Sequence, residues 1–375
     1  MNTPKLRFKE FSDEYVLSDL GKYLIQYKKT TNSNNQYPVL TSSRSGIFFQ
    51  EDYFNRQVAS KDNTGYNIVP RNYFTYRHMS DDTIFSFNIN TLCDYGIVST
   101  LYPVFTTNTE MNSNYLKEYL NNSKRFSEYC LLQKQGGSRT YMYFDKLKKF
   151  VGCFPSIQEQ TKVSNFLSLI DKKIDLQSKK IEDLKLFKKG LILSLKKNSF
   201  DWHTVCIKDL FKITRGVVIP KNELSEFKNG EYKYPVYSSQ TSNQGILGYS
   251  DTFDFNGKYL TWTTDGANAG KVFYRNGKFR CTNVCGVLYE DNIKFTNELF
   301  AELLNYETPK HVSYVGNPKL MNNVMADIKI KIPNGDVQEN TSLIINTINN
   351  KVNLEKNKLL KFKELKKGLM QNMFV

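Results

Sequence analysis

Several short stretches carry side chains suited to gripping a polyanion. In the first half they are "SSRSG" (Ser42, Ser43, Arg44), "PRNYFTYRHMSDD" (Arg71, Tyr73, Tyr76, Arg77) and "QGGSRTYM" (Gly136, Gly137, Ser138, Arg139). In the second half they are "SSQTSNQG" (Ser238, Ser239, Gln240), "TWTTDGANAGK" (Thr263, Thr264, Asn268, Lys271), "YRNGKFR" (Arg275, Lys278, Arg280) and "VGNPKL" (Asn317, Lys319). Arginine can bond guanine and asparagine or glutamine can bond adenine in the major groove, while hydroxyls, lysines and backbone N–H groups hold phosphates. Gly136 and Gly137 leave room for the backbone to approach a duplex. Taken singly, each stretch also reads as an ordinary turn. In a chain of net charge +15 and pI near 9.3, the set points to nucleic acid.

Catalytic chemistry is hard to assemble from the same sequence. No Pro-Pro pair exists, so the Asn/Asp-Pro-Pro-aromatic loop of an amino-group methyltransferase is absent. "GANAGKVF" lacks the spacing of a phosphate loop and has Val272 where Ser or Thr would hold Mg²⁺; it reads as a turn. Glu364-Leu365-Lys366 falls within a helical repeat and reads as a solvated face. His78, His203 and His311 are far apart, with no nucleophile paired to them. Among the six cysteines only Cys281 and Cys285 are close, a spacing that fits two same-face residues of a buried strand better than a zinc site. The expectation is a binding protein with no metal and no cofactor of its own.

Elements that would position the loops follow from hydrophobic periodicity. Val163 to Leu195 reads as one amphipathic helix whose seam is Val163, Leu167, Ile170, Ile174, Gln177, Ile181, Leu184, Lys188, Leu191 and Leu195. A shift of 178 residues, without a gap, lays this segment and its entry from Pro155 onto the segment from Pro333. The second seam is then Thr341, Ile345, Ile348, Val352, Glu355, Leu359, Phe362, Lys366, Leu369 and Met373, with polar interruptions at matching places. A second apolar stripe, Phe166, Leu176 and Phe187 matched by Ile344, Leu354 and Leu365, is left for other partners.

Weaker echoes relate the intervening segments: "YVLSDLGK" with "VCIKDLFK", "YPVLTSSRSG" with "YPVYSSQTSNQG", and "YLKEYLNN" with "LFAELLNY". Short β-branched and aromatic runs such as "YPVL", "TIFSFNI", "GIVSTLYPVF", "KYLTWTT" and "VCGVLYE" read as strands, and each half closes with a short helix before the proline. Pro155 and Pro333 suit a first helical turn. The expected architecture is α+β: two mixed, strand-rich heads at 1–154 and 198–332, and two long helices at 155–197 and 333–375. Each seam needs a partner, and the internal repeat supplies one in the other helix. With no apolar leader at the start and no uninterrupted apolar span, a cytoplasmic protein is expected.

The internal repeat, the "PSIQEQ" entry, the "DKKID" and "KKGL" helix motifs and the "FSDE" opening together resemble the specificity subunit of type I restriction-modification systems. The resemblance covers the whole chain. It implies two target recognition domains, each reading one half of a bipartite site in double-stranded DNA, and two helices that pair as an antiparallel coiled coil in a pseudo-two-fold internal repeat, set the spacing and bind two methyltransferase (M) subunits. Restriction/translocase (R) subunits would join through the complex, and S-adenosylmethionine, ATP and Mg²⁺ would belong to those partners. The second helix entry departs from the first in having Val337 where the first has Glu159. A competing reading from another class is a coiled-coil adaptor that joins proteins and binds no DNA.

Overall fold

The computed structural model describes residues 3–54, 60–134, 138–197, 202–333 and 335–374. Two compact units divide the chain, one of Met1–Gln177 with Lys358–Val375 and the other of Ser178–Asn357. Both long helices form, as Ile157–Lys197 and Gly335–Met373. The first opens two residues after Pro155, so this proline precedes the helix; Ser156 occupies the cap position, its hydroxyl 3.4 Å from the Glu159 N–H.

In the first unit, strand Val16–Asp19 pairs antiparallel with Val151–Phe154. A four-stranded sheet has the order Leu24–Gln26, Val104–Thr107, Phe74–Thr75, Asn88–Ile89. Three short pairs surround it: Leu40–Ser43 with Gly46–Phe49, Asn67–Pro70 with Tyr95–Val98, and Met79–Ser80 with Thr140–Tyr141. The core is aromatic. Phe74 stacks on Phe105 at 4.6 Å, and Tyr76, Phe87, Tyr115, Tyr119, Phe126 and Phe150 close around them. "TIFSFNI" is a strand only at Asn88–Ile89, because Thr83 takes a left-handed turn (φ 68°) and Phe85 and Phe87 plug the core instead. "GIVSTLYPVF" breaks into Tyr95–Val98 and Val104–Thr107.

In the second unit, strand His203–Cys206 pairs with Lys329–Ile332, repeating the pair that brackets the first head. A six-stranded sheet has the order Lys212–Arg215, Cys285–Tyr289, Phe255–Thr263, Val272–Cys281, Tyr234–Tyr237, Ile246–Ser250. It is mixed, since Tyr234–Tyr237 runs parallel to Val272–Cys281. Trp262 is fully buried, donates from Nε1 to Leu320 O at 3.0 Å, and lies against Gly286, where a Cβ would fall 2.2 Å from the ring. Cys281 and Cys285 end one strand and begin the next, so the expected single strand is replaced by a turn; both thiols are buried, 3.5 Å apart.

The closing helices, Ser113–Asn122 and Glu298–Glu307, start alike. Asn112 accepts from the Tyr115 N–H at 3.0 Å, and Asn297 accepts from the Phe300 N–H at 3.1 Å. Buried glutamines at matched places then tie each head to its long helix: Gln160 Nε2 donates to Glu110 O at 3.3 Å, and Gln338 Nε2 to Lys294 O at 2.5 Å. Glu159 holds the first unit further, receiving Arg7 at 2.9 and 2.8 Å and the Tyr15 hydroxyl at 3.0 Å, a cluster that Val337 cannot repeat.

The seam positions are buried or half-buried throughout. In the first unit Val163 and Leu167 share a core with Met373, while Lys173 lies over the Phe362 ring at 5.1 Å, so the two helical segments there run in opposite directions. In the second unit Lys180 bonds Glu355 at 3.0 Å and Ile192 shares a core with Ile345, again in opposite directions. Of the second stripe, Leu176, Phe187, Ile344, Leu354 and Leu365 are exposed, whereas Phe166 is covered by Phe8 in an edge-to-face contact at 5.6 Å. Among the described residues, no helix is long and apolar enough to cross a membrane.

Candidate nucleic-acid interface

Strand ends bring part of the expected first-half set together. The hairpin of Leu40–Ser43 and Gly46–Phe49 puts Arg44 at its turn, where Arg44 Nη2 meets Asp82 Oδ1 at 2.5 Å. That guanidinium, with the Ser80 hydroxyl, holds the Asp82 carboxyl below the usual carboxylate range. Pairing of Met79–Ser80 with Thr140–Tyr141 carries Arg139 to Asp81, Nε to Oδ1 at 3.1 Å. Between them a cleft of about 330 Å³ is lined by Arg44, Tyr53, Arg77, Asp81 and Tyr102. Arg77 is exposed and makes no ion pair or side-chain hydrogen bond with the described residues.

An exposed ring stack adjoins the same strands. Tyr141 and Tyr143 stack at 5.7 Å, and His78 lies 4.9 Å from Tyr143. Sequence reading passed over these rings, although the alternation Thr140-Tyr141-Met142-Tyr143 puts both tyrosines on one side of an extended segment.

Other first-half candidates are structural. Tyr76 is fully buried and its hydroxyl donates to Met142 O at 2.9 Å, so it is a core residue and cannot meet DNA. Ser42 is buried, donating to Thr75 O at 3.1 Å and accepting from Asn88 Nδ2 at 2.8 Å. Ser43 closes its own hairpin by donating to Gly46 O at 3.1 Å. Tyr73 is half-buried, edge-on to Tyr27 at 5.2 Å. Arg71 stands apart, bound to Asp94 at 2.8 Å and Thr91 O at 3.0 Å. Ser138 is exposed, while Gly136 and Gly137 lie outside the described residues.

The second-half set divides the same way. Thr263 and Thr264 are buried and build the loop after their strand: Thr263 Oγ1 donates to Asn268 O and accepts from the Lys271 N–H at 3.1 Å, and Thr264 Oγ1 donates to Asp265 Oδ2 at 2.6 Å. Gly266 and Gly270 have φ of 92° and 85°, so "GANAGKVF" is a turn that leaves Asn268 and Lys271 exposed. Ser313 and Lys319 exchange backbone bonds at 2.9 Å and form a small hairpin, tied to that loop by the Gly266 N–H on Pro318 O at 2.9 Å. Its tip exposes Tyr314, Val315 and Asn317, and Lys319 Nζ lies 3.9 Å from Asp265 Oδ1.

Arg275, expected to reach DNA, is only 6% exposed. It stacks on Tyr237 at 3.5 Å and donates to Thr261 Oγ1 at 3.1 Å and Gln244 O at 2.8 Å. Burial lowers the pKa of its guanidinium. Its work is to hold the Ser242–Gly245 turn, where Asn243 and Gln244 take left-handed conformations (φ 46° and 54°). Arg280 is tied down between Glu223 at 3.0 Å and Asp254 at 3.2 Å. Lys278 is exposed with its ammonium 4.5 Å from the Phe253 ring centre. Ser238 accepts from Thr282 at 3.0 Å, and Ser239 and Gln240 are half-buried beside it.

Residues 200–364 match the family described as the type I restriction modification DNA specificity domain. A putative type I specificity subunit N-terminus of Mycoplasma pneumoniae is 43% identical over 145 residues, 38% of this chain and 76% of that protein. Another putative type I specificity subunit of the same organism is 35% identical over 198 residues, 51% of this chain and 78% of that one. The specificity subunit of the type I restriction enzyme MpnII is 41% identical over 145 residues, 38% of this chain and 43% of its own length. In fold, the chain is similar to the crystal structure of a type I restriction-modification S subunit from M. genitalium, with TM-score 0.64 and 15% identity over 100% of this chain and 99% of that one.

Proposed function

We propose, because this chain belongs to the family of type I restriction-modification specificity subunits, that each of its units reads one half of a bipartite site in duplex DNA. The chain catalyses nothing itself in this reading. Two methyltransferase subunits dock on it, restriction/translocase subunits join through the complex, and S-adenosylmethionine, ATP and Mg²⁺ serve those partners in the cytoplasm. The long helices set the gap between the half-sites, and the modules are 1–154, 155–197, 198–332 and 333–375.

One observation carries the reading: both units present cations on matched elements, the segment at Ser80 or Gly266 and the one paired with it, which carries Arg139 in the first unit and Asn317 and Lys319 in the second. The exposed members, Arg44, Arg77, Arg139, Asn268, Lys271, Asn317 and Lys319, are the proposed DNA contacts, while Lys278 lies opposite Asn256 at the far end of the strand pair. Exposed Leu176, Phe187, Leu354 and Leu365 on the long helices supply apolar surface for the methyltransferases. Methylome sequencing of cells with and without the gene tests this. A two-part adenine-methylation motif that appears only with the gene is expected, and identical methylomes would refute the reading.

A further inference from the structure

In both units a cation ahead of the head's last strand lies close to an aspartate in the segment that follows an earlier strand, Arg139 by Asp81 and Lys319 by Asp265. Arg139 Nε lies 3.1 Å from Asp81 Oδ1, next to the Ser80–Thr140 strand pair. Lys319 Nζ lies 3.9 Å from Asp265 Oδ1, and the two residues face each other between the backbone bonds of their neighbours, Gly266 N–H to Pro318 O and Leu320 N–H to Thr264 O. Arg44 and Asp82 add a second such pair in the first unit. The two pairs are not equivalent in register, since the Asp265–Lys319 bridge takes the place of Met79–Tyr141, but in each unit the same region sets a carboxylate beside a cation.

Stability does not explain it, because exposed ion pairs contribute little to folding. Arg139 and Asp81 have side chains 52% and 67% exposed, and Lys319, 52% exposed, stands 3.9 Å from the 25% exposed Asp265, a separation too long for a strong contact. Resting on the DNA reading above, we infer that Asp81 and Asp265 are specificity-determining residues: each carboxylate screens its cation from the phosphates of arbitrary duplex and releases it only at the correct half-site.

The electrostatics run as an exchange. A free lysine or arginine gains affinity from phosphates at any sequence by displacing counterions. A carboxylate beside it cancels that gain. Releasing the cation to a base acceptor leaves a carboxylate oxygen needing a donor, Oδ1 in Asp265 because Oδ2 keeps the Thr264 hydroxyl, and in the major groove that donor is the exocyclic amine of cytosine or adenine. Only sequences offering both groups in place repay the exchange. Arg77, without an ion-pair partner among the described residues, supplies the sequence-independent hold.

The test uses the full chain with duplexes selected from a randomised pool by the wild-type protein, compared with a scrambled duplex of equal length across a range of salt. Asp81→Asn should tighten binding to the scrambled duplex about tenfold and the selected duplex much less, with the salt slope for scrambled DNA steeper by about 0.9. Asp265→Asn should do the same, and its relaxed specificity should fall in the other half-site. Asp291→Asn removes the same charge from an exposed pair with Lys212 on neither loop, and should leave the ratio between the two duplexes as in wild type. A ratio unmoved by Asp81→Asn and Asp265→Asn, or moved equally by Asp291→Asn, overturns the inference while leaving DNA recognition intact. Failure of wild type to select any duplex overturns the DNA reading and the inference with it.

Discussion

Lys188 and Lys366 occupy matched places in the two long helices and close the same three-way contact, each inside its own unit. Lys188 Nζ donates to Glu302 Oε1 at 2.5 Å and to Asn349 Oδ1 at 2.8 Å. Lys366 Nζ lies 2.7 Å from the Asp171 carboxylate and 3.5 Å from Glu118 Oε2. Glu302 and Glu118 are counterparts on the closing helices, and Asn349 and Asp171 are counterparts on the long ones. A polar residue in an apolar seam lowers stability but fixes register. Here it also fastens a head to its helices.

Lys188→Met should therefore leave Glu302, whose side chain is only 21% exposed, without its cation and cost about 1–3 kcal/mol in unfolding free energy. Urea denaturation reads this directly. An unmoved midpoint would mean that the contact contributes nothing to the folded state.

Arg77 and Arg275 should separate binding from folding. Arg77→Ala should weaken binding to any duplex about equally, make the salt slope shallower by about 0.9, and leave the melting temperature in place. Arg275→Met should lower the melting temperature, because Thr261 and the Gln244 carbonyl lose their partner. Calorimetry and binding titrations on the same two proteins would show the reverse order if the burial of Arg275 were irrelevant.

Truncations in the seam and on the outer stripe should differ in kind. Leu167 and Ile345 are buried in the cores of their respective units, so Leu167→Ala or Ile345→Ala should cost about 2–5 kcal/mol of stability. Leu176→Ser, at a position 69% exposed, should fold normally and weaken methyltransferase binding. Pull-down of the methyltransferase at full strength by Leu176→Ser would remove that position from the docking surface.

Replacing residues 1–154 by the first head of another family member should change one half of the methylated motif and leave the other. Simultaneous change in both halves would mean that the heads do not read independently.

The long helices were legible because a gapless repeat and a four-three seam are local in sequence, and the seam residues are indeed covered. The heads were legible only as strand-rich, since many strands there are two to four residues long and owe their pairing to distant partners. The candidate interface was half legible. Residue type pointed to Arg44, Arg77 and Arg139, but type alone could not separate them from Tyr76 or Arg275, whose burial depends on contacts far along the chain. The aspartates went unread because a carboxylate in a basic protein looks like dilution until the fold places it against a particular cation.

The backbone bond from the Leu6 N–H to Asn372 O, at 2.9 Å, has a consequence for biosynthesis. Ser178–Asn357 is one uninterrupted stretch, whereas in the first unit Phe374 packs on Tyr115 and Tyr119 and Met373 joins the same core. On a translating ribosome the Met1–Gln177 segment must therefore wait for Lys358–Val375, made later, and its aromatic interior stays open while the intervening second unit emerges and folds. A stalled or truncated transcript would yield a finished second unit beside an unfinished first one. The early product would then be the chain's sticky, protease-sensitive form.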